Sequence, residues 1–152
     1  MKHQFPKDFW WGAAASGPQT EGRLPNDSKG SSIWDHWYQT NPEKFFQGQG
    51  PNRTTQVITH FQEDLNSMEE IGFNSFRTSI QWSRLMPDGR GAVDQAAVVF
   101  YQRYFDEMLA RGLEPFVNLY HFDMPMALQN EGGWLTREPV TALADYEQVC
   151  FD

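Results

Sequence analysis

The sequence predicts an α/β fold, and within that class the N-terminal portion of a (β/α)8 barrel with about three βα units and the start of a fourth. Three observations carry this expectation. Short strand-like runs alternate with helical periodicity, which implies parallel strands joined by right-handed crossovers. Two segments, IGFNSFR from Ile71 and RGLEPFV from Arg111, share one frame: helix end, glycine, a bulky apolar residue, two positions, phenylalanine. Their spacing of about forty residues suits one βα unit with its loop. Polar residues gather where the strands end: Gln19 after the first, Arg77 to Arg84 around the second, His121 and Asp123 after the third. That is the end where barrels place their chemistry. A doubly wound sheet accepts the same alternation, but no GxGxxG or GxxxxGK[ST] phosphate loop follows any strand.

The elements follow in order. From Phe9, FWWGAAASG is apolar, short and rich in small residues, as for a buried strand entering a loop. Pro18 to Thr54 carries Gly, Pro, Ser and Asn throughout and predicts a long irregular excursion with a short helix near Ile33–Tyr38. Ile58, Phe61, Leu65 and Met68 recur at spacings of three and four, one face of a helix that hands over at Gly72. Phe73 to Ile80 is the second strand. A helix from Asp94 to Gly112 presents Ala97, Tyr101, Phe105, Met108 and Leu109, and Pro115 to Tyr120 is the third strand. Another helix begins at Val140. A barrel takes about 250 residues, so residues 1–152 are expected to be an incomplete domain, with open sheet edges prone to aggregation.

Bulk properties exclude several classes. A net charge of −8, with Lys and Arg scattered singly, argues against a nucleic-acid partner. One cysteine, Cys150, allows neither an internal disulfide nor a cysteine zinc site. No signal core follows Met1 and no apolar run spans a membrane, so a cytoplasmic protein without membrane attachment is expected. The oligomeric state stays open.

Among residues able to do chemistry, Gln19 carries an amide with donors and an acceptor that can grip neighbouring hydroxyls, or it belongs to a plain polar loop. Arg77 lies in an otherwise apolar and small-residue strand. Pointing inward it requires a carboxylate partner, either a nucleophile it keeps ionised or a structural ion pair. His121 with Asp123 fits a metal pair, an acid/base pair or a sugar-binding group. No HxH or HExxH accompanies them, so neither a metal nor another cofactor is expected. His3, His36 and His60 read as surface or packing residues. Trp82-Ser83-Arg84 and Gly132-Gly133-Trp134 read as loops that rim a pocket or pack on the adjacent helix. Glu63-Asp64 and Glu69-Glu70 fall on the solvated face of the first long helix.

Taken together, FPKDFWWGAAASGPQTEG, SIWD, HFQEDLNSMEEIGFNSFRTSIQWSRLMPDGRG and GLEPFVNLYHFDMPMALQNEGGW resemble the family 1 glycoside hydrolases over nearly the whole chain. The resemblance implies a (β/α)8 barrel that hydrolyses β-glycosides with retention. It also implies that Gln19 and His121 bind the non-reducing-end sugar and that Arg77 supports the nucleophile. SGPQTEG and YHFDMPMALQ, with Phe122 where many members have Trp, resemble the bacterial 6-phospho-β-glucosidases. A phosphorylated β-glycoside is therefore the expected substrate, with plain β-glucosides or β-galactosides, or a non-catalytic sugar-binding role, as the alternatives. The family's acid/base glutamate stands in an Asn-Glu-Pro stretch after the fourth strand and its nucleophile much later. Neither is present, Arg137-Glu138-Pro139 and Leu113-Glu114-Pro115 lacking the asparagine, so the chain alone is expected to be inactive.

Overall fold

The computed structural model describes residues 3–152. Three short strands, β1 (Gly12–Ala14), β2 (Ser75–Ser79) and β3 (Glu114–Asn118), form one parallel sheet in the order β1-β2-β3. The register pairs Ala14 with Arg77 and Arg77 with Phe116. Around the sheet run α1 (Gly17–Thr20), α2 (Ile33–Thr40), α3 (Val57–Ile71), α4 (Trp82–Leu85), α5 (Gln95–Ala110), α6 (Met126–Asn130) and α7 (Glu138–Phe151). The long helices α3, α5 and α7 each follow one strand. This is the βα progression of a partial (β/α)8 barrel.

The period of two along β2 divides the sheet into two faces. Phe76 faces α3 and α5, where it joins Val57, Phe61, Leu65, Tyr104, Met108 and Leu113 in one buried cluster. Each such side chain contributes about 1.5–3 kcal/mol relative to exposure. Ile80 joins a second cluster with Trp82, Met124, Leu128, Ala142 and Tyr146, which seats α4, α6 and α7. The Tyr146 hydroxyl sits between the ends of two strands, its single proton shared between the carbonyls of Leu119 (2.8 Å) and Ile80 (3.1 Å). Ser75, Arg77 and Ser79 occupy the other face with Phe116, against which Trp10 packs edge-on at 5.4 Å.

Local signals set the helix ends. Asp94 caps α5 by accepting the Ala96 and Ala97 N–H groups. Gly72 closes α3 at φ 85°, and its N–H reaches the carbonyls of Met68 and Glu69. Ser32 and Asp35 form a reciprocal capping box at the start of α2.

Several expectations need correction. Trp82-Ser83-Arg84 is no loop: it begins the helical turn α4, and all three residues are buried. The first strand is not buried, because β1 has a single neighbour and its three residues are exposed. On α5, Leu109 points to solvent and Tyr104 takes the core position. Phe105 and Met68 are only partly buried.

The excursion between β1 and α3 is held by buried charge. Glu21 accepts the Arg84 Nε–H (2.6 Å) and the Gln81 amide (2.7 Å) on one oxygen, and the Tyr101 hydroxyl (2.8 Å) on the other. Arg84 also donates to Asp27 (2.7 Å) and to the Gly22 carbonyl (2.7 Å). Burial alone would raise the Asp27 carboxyl, but Arg84 draws it below the usual carboxylate value. Beside this node, buried Lys29 pairs with Asp35 at 3.3 Å. Backbone bonds complete the attachment: Gly30 N–H to Ser83 O, Ile33 N–H to Met124 O, Met126 N–H to Ser31 O and Ile58 N–H to Glu21 O. Gly30 approaches so closely that a Cβ there would stand 1.9 Å from the Pro87 carbonyl oxygen.

Removing one partner of a buried ion pair leaves the other uncompensated, so Arg84→Met should lower stability by about 3–5 kcal/mol. Equilibrium urea unfolding measures this. A loss no larger than that of an exposed arginine variant would show that the node does not hold the excursion.

Candidate functional site

The first and third strands each deliver one candidate group to the sheet's C-terminal end. After β1 the chain turns directly into α1, with Gly17 N–H donating to the Ser79 hydroxyl at 2.8 Å, and this turn presents exposed Gln19. The Gln19 Oε1 accepts the Ser16 hydroxyl at 2.9 Å, which fixes the amide and leaves both of its N–H donors free. After β3 comes His121, whose Nδ1 stands 3.3 Å from the Asn118 amide nitrogen. With that nitrogen donating, Nδ1 is the acceptor and the ring proton sits on Nε2, where it is available to a ligand.

Gln19 and His121 line the same cleft of about 530 Å³, together with Pro18, Trp34, Phe45, Gly50, Pro51 and Phe122. The sheet ends supply the polar groups and the excursion supplies the Trp34 and Phe45 wall. Cleft size and lining, apolar with a few polar groups converging, suit a small organic ligand. Trp34, Phe45 and Phe122 were not singled out as site residues from the sequence. The sequence marked Trp34 only within SIWD and Phe122 only by its place between His121 and Asp123, and it did not mark Phe45, because membership of a wall built by a long excursion has no local pattern.

Arg77 is not part of the cleft lining. It lies half-buried on the open face of β2 and donates to the Ala15 carbonyl at 2.7 Å. Among the described residues it has no carboxylate partner, so an ion pair within them is not what places it there. Desolvation and the Arg77 charge together lower the His121 imidazole below its usual value, which keeps it neutral near pH 7.

His121 and Asp123 do not form an acid/base pair. Asp123 is fully buried and accepts the backbone N–H of His121 at 3.0 Å rather than its ring. Among the described residues no cluster of three or more His, Cys, Asp or Glu side chains could hold a metal ion. His3, His36 and His60 are exposed, as expected of surface residues. Trp134 stands outside the cleft lining and donates its indole N–H to the Tyr120 hydroxyl at 3.1 Å.

By NMR titration the His121 imidazole should show a midpoint below 6.5, and Arg77→Met should move it upward because a repelling charge is gone. A midpoint unmoved by that substitution would sever the electrostatic link between the two residues.

The family model for glycosyl hydrolase family 1 matches residues 1–152. The chain is 51% identical over 150 residues to the 6-phospho-beta-glucosidase GmuD of Bacillus subtilis, covering 99% of this chain and 32% of that protein. It is 39% identical over 150 residues to beta-glucosidase A of Acetivibrio thermocellus, covering 99% and 33%. A solved family 1 β-glucosidase from Thermotoga maritima superposes with a TM-score of 0.90 at 38% identity, covering 97% of this chain and 33% of that one. The chain thus spans about a third of the length of the curated relatives it matches. No helix among the described residues is long and apolar enough to cross a membrane. On a match along its whole length, a shared fold and a cleft at the sheet's C-terminal end, the chain belongs to glycosyl hydrolase family 1.

Proposed function

We propose that this chain is part of a retaining β-glycosidase that acts on 6-phospho-β-glucosides in the cytoplasm, residues 1–152 forming an incomplete portion of its catalytic domain. The observation that carries the reading is the meeting of Gln19 and His121, from the ends of different strands, in one cleft. Their free donors, the Gln19 amide and the His121 Nε2–H, suit the hydroxyl oxygens of a sugar. The apolar wall of Trp34, Phe45 and Phe122 suits the C–H faces of its ring.

In the retaining reaction a carboxylic acid protonates the leaving oxygen while a carboxylate about 5–5.5 Å away attacks the anomeric carbon. The resulting covalent intermediate is hydrolysed by water. The role left to Gln19 and His121 is to hold the sugar so that its anomeric carbon faces those groups. Arg77 is assigned to the nucleophile's side, where its charge keeps a carboxylate ionised. The sequence contains no Asn-Glu-Pro, so the 152-residue chain by itself should not turn over a glycoside.

The phosphorylated substrate is supported by the greater identity to the 6-phospho-beta-glucosidase of Bacillus subtilis, 51%, than to beta-glucosidase A of Acetivibrio thermocellus, 39%. Among the described residues, none that lines the cleft is Lys or Arg. A phosphate dianion needs charge-assisted donors, so those donors are assigned to parts of the protein beyond these residues. Neither a nucleic acid, a membrane nor a cofactor enters this reading.

The test compares hydrolysis of p-nitrophenyl β-glucoside with that of its 6-phosphate by the full-length protein that carries residues 1–152. A preference of about a hundredfold or more for the phosphorylated sugar is expected, as for a site built around a polar substrate group. Equal rates would make it a plain β-glucosidase. Absence of hydrolysis of any β-glycoside would remove the glycosidase reading.

A further inference from the structure

Asp123 has an unusual setting for a carboxylate. It is wholly buried, and among the described residues no Lys, Arg or His side chain pairs with it. Its partners are two backbone N–H groups from different strand ends. Oδ1 accepts from His121 at 3.0 Å, and Oδ2 accepts from Trp82 at 3.1 Å. Trp82 opens α4, whose own cap residue Gln81 makes no side-chain capping bond, so Asp123 caps that helix from the segment that follows β3. Burial, and to a lesser degree the nearby Glu21 charge, push its carboxyl up to about 6 against the pull of the N–H donors.

Between the two bonded positions the chain is forced through an unfavourable turn. Phe122 has φ 58°, a left-handed conformation that a bulky aromatic residue rarely adopts. Such a backbone persists where its surroundings over-determine it. Here the surroundings are the Asp123 carboxylate on one side and the Asn118–His121 contact on the other. Without the carboxylate, nothing among the described hydrogen bonds holds the His121 backbone N–H. The turn would then be free to relax, carrying the imidazole away from the Gln19 side of the cleft.

We infer that Asp123 is a positioning residue for His121: by tying the His121 and Trp82 backbones together, it sets where the sugar-binding imidazole stands in the cleft. The inference rests on the proposal that His121 contacts the sugar. A neutral isostere would separate charge and acceptor count from shape. An amide at this position has one acceptor oxygen, and its NH2 would face the second backbone N–H. One of the two bonds must therefore be lost.

A double-mutant cycle in the full-length protein that carries residues 1–152, assayed on a β-glycoside, tests this. Asp123→Asn should raise KM about tenfold, and His121→Ala should do at least as much. The double variant should be no worse than His121→Ala alone, because a residue acting through His121 has nothing left to position. Multiplicative effects would overturn the inference, since a general structural role does not depend on the imidazole. If His121→Ala leaves KM unchanged, the sugar-binding reading of His121 fails and takes this inference with it, an outcome separate from multiplicativity. Should Asp123→Asn not fold by circular dichroism, the same cycle is run with Asp123→Ser, which retains one acceptor and leaves space for a water at the other bond.

Discussion

The ion pair between Glu21 and Arg84 is the constraint on which the rest of the structure depends. Both side chains are buried, and a buried pair is stable only when its remaining donors and acceptors are also met. Here Glu21 takes hydrogen from Arg84, Gln81 and Tyr101, and Arg84 spends its other donors on Asp27 and the Gly22 carbonyl. Those partners come from the excursion, from the β2–α4 turn and from α5. The node therefore forms only when the first crossover, the second strand end and the second crossover helix have arrived together. A loop of some forty residues rich in Gly and Pro has no core of its own, and this set of bonds gives it one conformation.

The same node delivers the cleft. Gln19 stands two residues before Glu21, so fixing the carboxylate fixes the turn that aims the amide. Downstream, the Lys29–Asp35 pair and the Ser32 capping box orient α2 and with it Trp34. The isolated bridge between Ser32 and Pro125 then joins the excursion to the segment just after His121. Cleft-lining groups from distant parts of the sequence thus share one wall because the charges behind them do.

The parts of this arrangement that were legible in the sequence are those with a local signature. The helices α3 and α5 showed in the spacing of Phe61 and Leu65, and of Ala97, Tyr101 and Met108. The second and third strands showed in the repeated frame that ends in Phe76 and Phe116. Gln19 and His121 could be named because each follows a strand, whatever their partners. The node was not legible, since Glu21 and Arg84 lie 63 positions apart and nothing in QTEG or WSRL separates a buried charge from a solvated one. For the same reason Trp82 to Arg84 passed for a loop. Tyr104 outranked Leu109 on α5 through tertiary packing against Phe61, at 5.3 Å between ring centroids. Helical spacing alone could not rank them.

Two buried carboxylates at one end of a sheet have been stabilised in opposite ways, and the difference bears on what each can do. Glu21 is compensated by a full cation that serves several other acceptors, so it is a fixed structural charge. Asp123 is compensated by N–H dipoles alone and sits in the raised range where burial dominates. A charge held only by dipoles constrains the geometry of the groups that supply them, because either donor must stay within hydrogen-bonding distance and alignment. Those donors belong to the residue that carries the imidazole and to the first residue of the helix that carries Arg84. The site's rigidity and the excursion's anchorage thus meet at α4. Arg77, by contrast, is left on the open face with only a carbonyl partner, beside Phe116 and Trp10. An arginine so placed has donors left for a carboxylate, and a guanidinium beside a carboxylate keeps it ionised, which is why the proposed function puts Arg77 on the nucleophile's side.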